Sequence, residues 1–170
     1  MENPYPDSIL ISTPSAEDAK SIWRLVEESK TLDHNSFYCY FLLCSYFKET
    51  CAVAKSNGAV VGFAIGLRSP LQQATLFIWQ ILVREDARGK RVGLALLSDI
   101  LRRPSSKKFN TIEATIAPNN TASQALFASI AKKLSTTISQ PADFLGMEQF
   151  PPEIKNHEPE FLYRVGPFIN

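Results

Sequence analysis

The sequence predicts an α/β domain, a mixed sheet with helices on both faces, and three observations carry that expectation. A hairpin signal, Ser56-Asn57-Gly58-Ala59, lies between the apolar runs Cys51 to Lys55 and Val60 to Leu67. Two further β-like runs, Ala74 to Val83 and Phe109 to Ala117, each turn into a stretch with helical spacing, Arg88 to Arg103 and Thr121 to Leu134. Two more helical stretches precede the hairpin. At 170 residues the chain is expected to form one domain, 1–170, with a substantial core.

Each element has a local cause. Ile9 to Ser12 is a short strand candidate, and Ser15 opens a helix in which Asp18 completes a capping-box-like start and Ile22, Trp23, Leu25 and Val26 form an apolar face. Asp33, Asn35 and Ser36 are alternative N-caps for a second helix running to about Thr50. Its interior, Tyr38 to Cys44, is apolar almost all round and so is expected to be largely buried. Pro104 ends the third helix, and Pro118-Asn119-Asn120 separates the strand at Phe109 from the fourth. Beyond Ser135 the pattern weakens into a Pro-containing excursion, before Glu160 to Val165 closes as the last strand.

With 18 Lys and Arg against 17 Asp and Glu, nothing global recommends nucleic acid or an anionic membrane surface as a partner. No run offers the roughly 20 apolar residues that span a bilayer. Met1-Glu2-Asn3-Pro4 lacks the start of a signal peptide, so a cytoplasmic location is expected. Cys39, Cys44 and Cys51 lie in apolar surroundings without metal-ligand spacing and are expected to be reduced packing residues. His34 and His157 are the only histidines, too few for a metal site.

The chemistry concentrates at Leu82 to Ala95, where a strand passes through a basic, glycine-containing loop into a helix. Backbone N–H groups and a positive helix terminus meet there, an arrangement suited to an anion such as a pyrophosphate. The segment resembles the coenzyme A loop of the GNAT acetyltransferases, Gln/Arg-x-x-Gly-x-Gly/Ala, with Arg88 first, Gly93 last and Gly89, Lys90, Arg91 and Val92 between. Arg91 stands where that family usually has a glycine; its side chain either points outward or offers a guanidinium to the pyrophosphate. A second signature of the family, Asn-x-x-Ala/Ser-x-x-x-Tyr, is matched by Asn120 to Phe127, except that Phe127 replaces the tyrosine that protonates the departing thiolate in many relatives.

The resemblance implies the GNAT fold, a central, mostly antiparallel twisted sheet with a splayed pair of strands at the acetyl-CoA site. It also implies acetyl-CoA as co-substrate and no metal. Ile81, Leu82 and Val83 are then expected to present backbone N–H groups to the thioester carbonyl. Asn120 and Ser123 are expected to bond the pantetheine arm, although Asn120 also suits a helix cap.

At a narrower level the chain resembles the L-2,4-diaminobutyrate acetyltransferases of ectoine biosynthesis. The resemblance runs through Leu32 to Tyr40, Leu42 to Ala54, Leu76 to Gln80, Glu113 to Pro118 and His157 to Arg164. It implies acetylation of the distal (N4) amine by direct attack in a ternary complex, in a homodimer serving compatible-solute synthesis. Another small diamine, or a protein N-terminus, remains the alternative acceptor. Asp33 and Glu158 are the candidate acids for the cationic substrate, with Trp79 and Tyr38 as a wall and His157 shaping the amine pocket. Asp33 equally suits a helix cap and Tyr38 a core position. Glu158, then Glu113, is the candidate general base, since an alkylammonium must lose a proton before it attacks.

Overall fold

Asn57 and Gly58 take φ of 49° and 79°, the positive pair that a tight hairpin turn requires, and so join β2 (Cys51–Ser56) to β3 (Ala59–Arg68). The computed structural model describes residues 9–29, 31–139, 143–154 and 158–169. Beside the hairpin lie β1 (Ile9–Ser12) and β4 (Thr75–Val83), followed by β5 (Thr111–Ile116), β6 (Ile138–Ser139), β7 (Asp143–Leu145) and β8 (Glu160–Val165). The order across the sheet is β1-β2-β3-β4-β5-β8-β6, with β7 also against β8. Among the described residues β4 and β5 form the sole parallel pair; the other pairings are antiparallel.

Helices α1 (Ala19–Glu28) and α2 (Phe37–Tyr46) cover one face, and α3 (Val92–Arg102) and α4 (Thr121–Lys133) the other. The first layer closes over Ile22, Val26, Tyr40, Val53, Phe63 and Ile65. The second closes over Leu96, Ile100, Phe109, Ile112, Phe127 and Ile130. No described helix is long and apolar enough to cross a membrane.

Three expectations from the sequence are corrected. The helix expected from Arg88 begins only at Val92, because Glu85–Ala87 forms a 3-10 turn and Gly89 and Arg91 take positive φ of 76° and 59°. The second helix ends at Tyr46 and is followed by a 3-10 turn, Lys48–Thr50. It is also not largely buried: Tyr40, Leu43 and Cys44 face the core, whereas Phe37, Tyr38, Phe41 and Tyr46 are exposed. An apolar surface on every side carries no period, so it cannot say which side is covered. The excursion after Ser135 contains β6 and β7, too short for any alternation to register.

Candidate active site

The sheet opens at its centre. β4 and β5 pair at Thr75 with Thr111, Leu76 with Ile112 and Phe77 with Glu113, and no further, although β4 runs on to Val83 and β5 to Ile116. Beyond Phe77 the described ladder on β4 is the one to β3. The N–H and C=O groups of Ile78 to Val83 that face β5 therefore line a cleft between the strands.

A β-bulge shapes the near wall. Ile65 pairs with Gln80 and Gly66 with Ile78, so Trp79 is an extra residue without a register partner. Leu76 and Ile78 pack on the α3/α4 side, and Ile81 and Val83 return to it, while Trp79, Gln80 and Leu82 meet the α1/α2 side. The bulge thus puts two consecutive side chains, Trp79 and Gln80, on one face. Gly66 permits the close approach opposite: a Cβ there would lie 2.7 Å from the Thr50 carbonyl oxygen and 2.9 Å from Leu76 Cδ1.

At the end of β4 the chain is tied down before α3 begins. Arg84 donates from Nε and Nη2 to the two Asp86 carboxylate oxygens at 2.7 and 2.8 Å, and Arg88 Nε donates to the Val83 carbonyl at 3.1 Å. Arg91 caps α3 in the left-handed region at φ 59° and ψ 23°, with its side chain exposed and making no capping bond. This backbone conformation explains why glycine suits the position, and it costs other residues about 1–2 kcal/mol. The first helical bond runs from Ala95 N–H to Arg91 C=O, which leaves the N–H groups of Val92, Gly93 and Leu94 without an intrahelical acceptor. With exposed Arg88, Lys90 and Arg91 around them, these donors fit a pyrophosphate. Gly93 has a second cause: a Cβ there would lie 3.3 Å from Leu126 Cδ2 on α4, so the glycine also lets α3 and α4 pack.

On the β5 side, Asn120 caps α4, its Oδ1 accepting from Ser123 N–H at 3.0 Å. The neighbouring Asn119 donates from Nδ2 to Glu158 Oε1 at 2.6 Å, which holds the exposed Glu158 carboxylate at the loop leaving β5. Phe127 is 1% exposed and packed in the α3/α4 core. Glu113 points to the other face, where its Oε1 accepts from Arg164 Nε and Nη2 at 2.7 and 2.6 Å.

Asp33 lies in the segment before α2, but Ser36 caps that helix, its Oγ accepting from Cys39 N–H at 3.3 Å. The capping alternative for Asp33 is therefore corrected. Its carbonyl instead accepts from Gln80 Nε2 at 3.2 Å, and Gln80 Oε1 accepts from the Tyr40 hydroxyl at 3.0 Å. Burial pushes the Tyr40 phenol up, so it stays a donor. The ring stacked on Trp79 is also that of Tyr40, at 6.3 Å between centroids and 26° between planes. Tyr38, two residues back and so roughly 200° around the helix, is 68% exposed, which corrects both its core alternative and its place beside Trp79. His157 lies outside the described residues. His34 precedes α2, with its Nδ1 3.6 Å from Glu27 Oε1.

Among the described residues no group of three or more His, Cys, Asp or Glu side chains converges to hold a metal. Burial pushes the Cys44 thiol up to about 12 and that of Cys51 to about 11, which keeps both protonated and unreactive.

Four participants escaped the sequence reading: Tyr40, Gln80, Asn119 and Arg164. Gln80 carried a usable signal, because an amide inside the apolar run Leu76 to Val83 must find buried partners. The Arg164 contact with Glu113 depends on a strand register 51 residues apart in sequence, and no local pattern encodes it.

Comparison with known proteins fits this architecture. The model of the acetyltransferase (GNAT) family matches residues 17–131. The L-2,4-diaminobutyric acid acetyltransferase of Methylotuvimicrobium alcaliphilum is 44% identical over 160 residues, 94% of this chain and 91% of that protein. The protein of the same name from Marinococcus halophilus is 42% identical over 162 residues, 95% of this chain and 92% of its own. The structure of diaminobutyrate acetyltransferase EctA from Paenibacillus lautus, in complex with its substrate L-2,4-diaminobutyric acid and coenzyme A, superposes with a TM-score of 0.91. It is 35% identical, and the match covers 97% of this chain and 98% of that one.

Proposed function

This chain belongs to the acetyltransferase (GNAT) family and, within it, to the L-2,4-diaminobutyric acid acetyltransferases, and on that premise we propose that it transfers the acetyl group of acetyl-CoA to the distal (N4) amine of L-2,4-diaminobutyrate, in ectoine biosynthesis. The observation that carries the chemistry is the opening of the sheet beyond Phe77 and Glu113, with the α3 N-terminus at its end and the Trp79–Gln80 bulge in its wall. Such a cleft exposes backbone donors on an otherwise paired sheet.

Acetyl-CoA, when bound, supplies an activated acyl carbon on a thiolate leaving group. Val92, Gly93 and Leu94 N–H, with Arg88, Lys90 and Arg91, hold its pyrophosphate. Asn120 and Ser123 flank the pantetheine arm from the start of α4. Backbone N–H groups of Ile81 to Val83 stabilise negative charge at the carbonyl oxygen. Glu158, held by Asn119, takes a proton from the distal ammonium, and Glu113 is the second candidate because its Oε1 is already committed to Arg164. Asp33 holds the α-ammonium and Trp79 presents its ring to the substrate's cationic end. His157 shapes the amine pocket, as the family resemblance implies. Attack is direct, within a ternary complex.

We further infer a homodimer formed through the outward face of α2, supported by its exposed Phe37, Tyr38, Phe41 and Tyr46, and a cytoplasmic location. Sedimentation of wild type and Phe41→Glu tests the first: a dimer that becomes a monomer supports it, and a wild-type monomer overturns it. Thiol release from acetyl-CoA with diaminobutyrate, ornithine, lysine and an N-terminal peptide tests the activity. The highest kcat/KM is expected for diaminobutyrate, and a higher value for any other acceptor overturns the assignment.

A further inference from the structure

The structure assigns to Gln80 the setting of substrate chain length: it is a positioning residue that pins the main chain at Asp33 to β4 and so fixes how far Asp33 stands from the cleft. The assignment rests on the proposal that Asp33 holds the α-ammonium of the diamine. Gln80 is 6% exposed, and both ends of its amide are used, Oε1 by the Tyr40 hydroxyl and Nε2 by the Asp33 carbonyl. Three parts of the fold thus meet at one side chain: the strand, helix α2 and the segment between α1 and α2. That segment has no regular structure from Thr31 to Ser36 and depends on such ties for its position. The other donor to the Asp33 carbonyl, Asn35 Nδ2 at 3.2 Å, belongs to the segment itself and cannot anchor it to the sheet.

The bulge at Trp79 makes the tie possible. With regular alternation, Gln80 would share the face of Leu76 and Ile78, in the apolar α3/α4 core. The extra residue turns it toward Tyr40 and Asp33 instead. The same irregularity that places Trp79 on this face therefore sets the span between cleft and Asp33. Diamines that differ by one methylene are discriminated by that span.

Gln80→Met keeps the volume and removes both hydrogen bonds, whereas Gln80→Glu keeps the acceptor for Tyr40 and loses the donor to Asp33. Both are expected to raise the KM for diaminobutyrate about tenfold and to lower the diaminobutyrate-to-ornithine ratio of kcat/KM at least about fivefold, with the KM for acetyl-CoA within about twofold of wild type. Tyr40→Phe, which spares the Asp33 contact, is expected to shift the ratio less. Should Gln80→Met fail to fold, Gln80→Glu carries the same test. Asp33→Ala, measured in parallel, separates the two levels. If it raises the KM for diaminobutyrate while a folded Gln80 variant leaves KM and ratio unchanged, Gln80 is scaffold only and the inference is overturned. If Asp33→Ala itself changes neither, the underlying role of Asp33 fails and the inference falls with it.

Discussion

Phe77 and Glu113 are the last residues that β4 and β5 share. Past them the pairing stops, and each strand leads through a short connection into a helix, α3 after β4 and α4 after β5. The separation thus opens the backbone donors of a strand edge. The bulge at Trp79 puts two consecutive side chains of β4, Trp79 and Gln80, on the α1/α2 face of the sheet.

Arg91 tests the anion cradle. Arg91→Gly relieves the left-handed backbone and is expected to leave stability unchanged or raise it by up to about 1 kcal/mol, whereas Arg91→Ala keeps the strain and gains nothing. If the guanidinium meets the pyrophosphate, both variants raise the KM for acetyl-CoA by about three- to tenfold, the loss of one exposed charge-assisted contact. Thermal melts with acetyl-CoA saturation curves check this. A lower KM in Arg91→Gly would show that the side chain obstructs the loop.

Phe127→Tyr places a hydroxyl in the apolar layer between α3, α4 and the sheet. It is expected to cost about 1–3 kcal/mol of stability and to change kcat by less than about tenfold, because a buried hydroxyl at this site protonates nothing. A gain of about a hundredfold in kcat would mean that expulsion of the thiolate is limited by a missing acid.

Glu158→Gln is expected to lower kcat/KM for diaminobutyrate about ten- to a hundredfold at neutral pH, with acetyl-CoA binding nearly intact. The loss should shrink as pH rises toward the amine's own pKa of about 10, where substrate arrives deprotonated. Asn119→Ala, which frees the carboxylate from its 2.6 Å tether, is expected to show a smaller loss of the same shape. A pH profile parallel to wild type would move the proton acceptor to Glu113.

Asp18 ties the start of α1 to β2 through Lys55, at 2.7 Å from Oδ1, and its Oδ2 accepts from the Ser15 N–H at 2.9 Å. Burial pushes its carboxyl up, but Lys55 and Ser15 together outweigh that and leave it below the ordinary carboxylate value. A carboxyl with a depressed folded pKa stabilises the fold above its unfolded pKa, and this contribution is lost as pH falls through the folded one. Stability should therefore hold above about pH 5 and decline below the ordinary carboxylate range. Asp18→Asn is expected to lose about 2 kcal/mol near neutrality and to flatten the acid limb in denaturant titrations. An unchanged acid limb would assign it to other carboxylates.

The hairpin and the two strand-turn-helix units are legible because each depends on neighbours in sequence: Asn57-Gly58 for a turn, Asn120 for a cap, an apolar run for a strand. The splay was expected from the family resemblance, and the register locates it at Phe77 and Glu113. The bulge is not legible, since Leu76 to Val83 reads as an unbroken apolar strand and the irregularity arises from its pairing with Ile65 and Gly66. The exchange of Tyr38 for Tyr40 beside Trp79 has a similar origin. Both rings lie on a helix apolar all round, and tertiary packing alone selects which of them turns inward.

Acetylation at N4 is tested most directly by the position of the acetyl group in the product, read by NMR after turnover of L-2,4-diaminobutyrate with carbon-13-labelled acetyl-CoA. The expected result is a correlation from the labelled carbonyl to the amide proton on N4 and on to the C4 methylene protons, with stoichiometric release of coenzyme A thiol. A carbonyl correlated to the amide on N2 and the C2 proton, or thiol release without acetylated diamine, would contradict it.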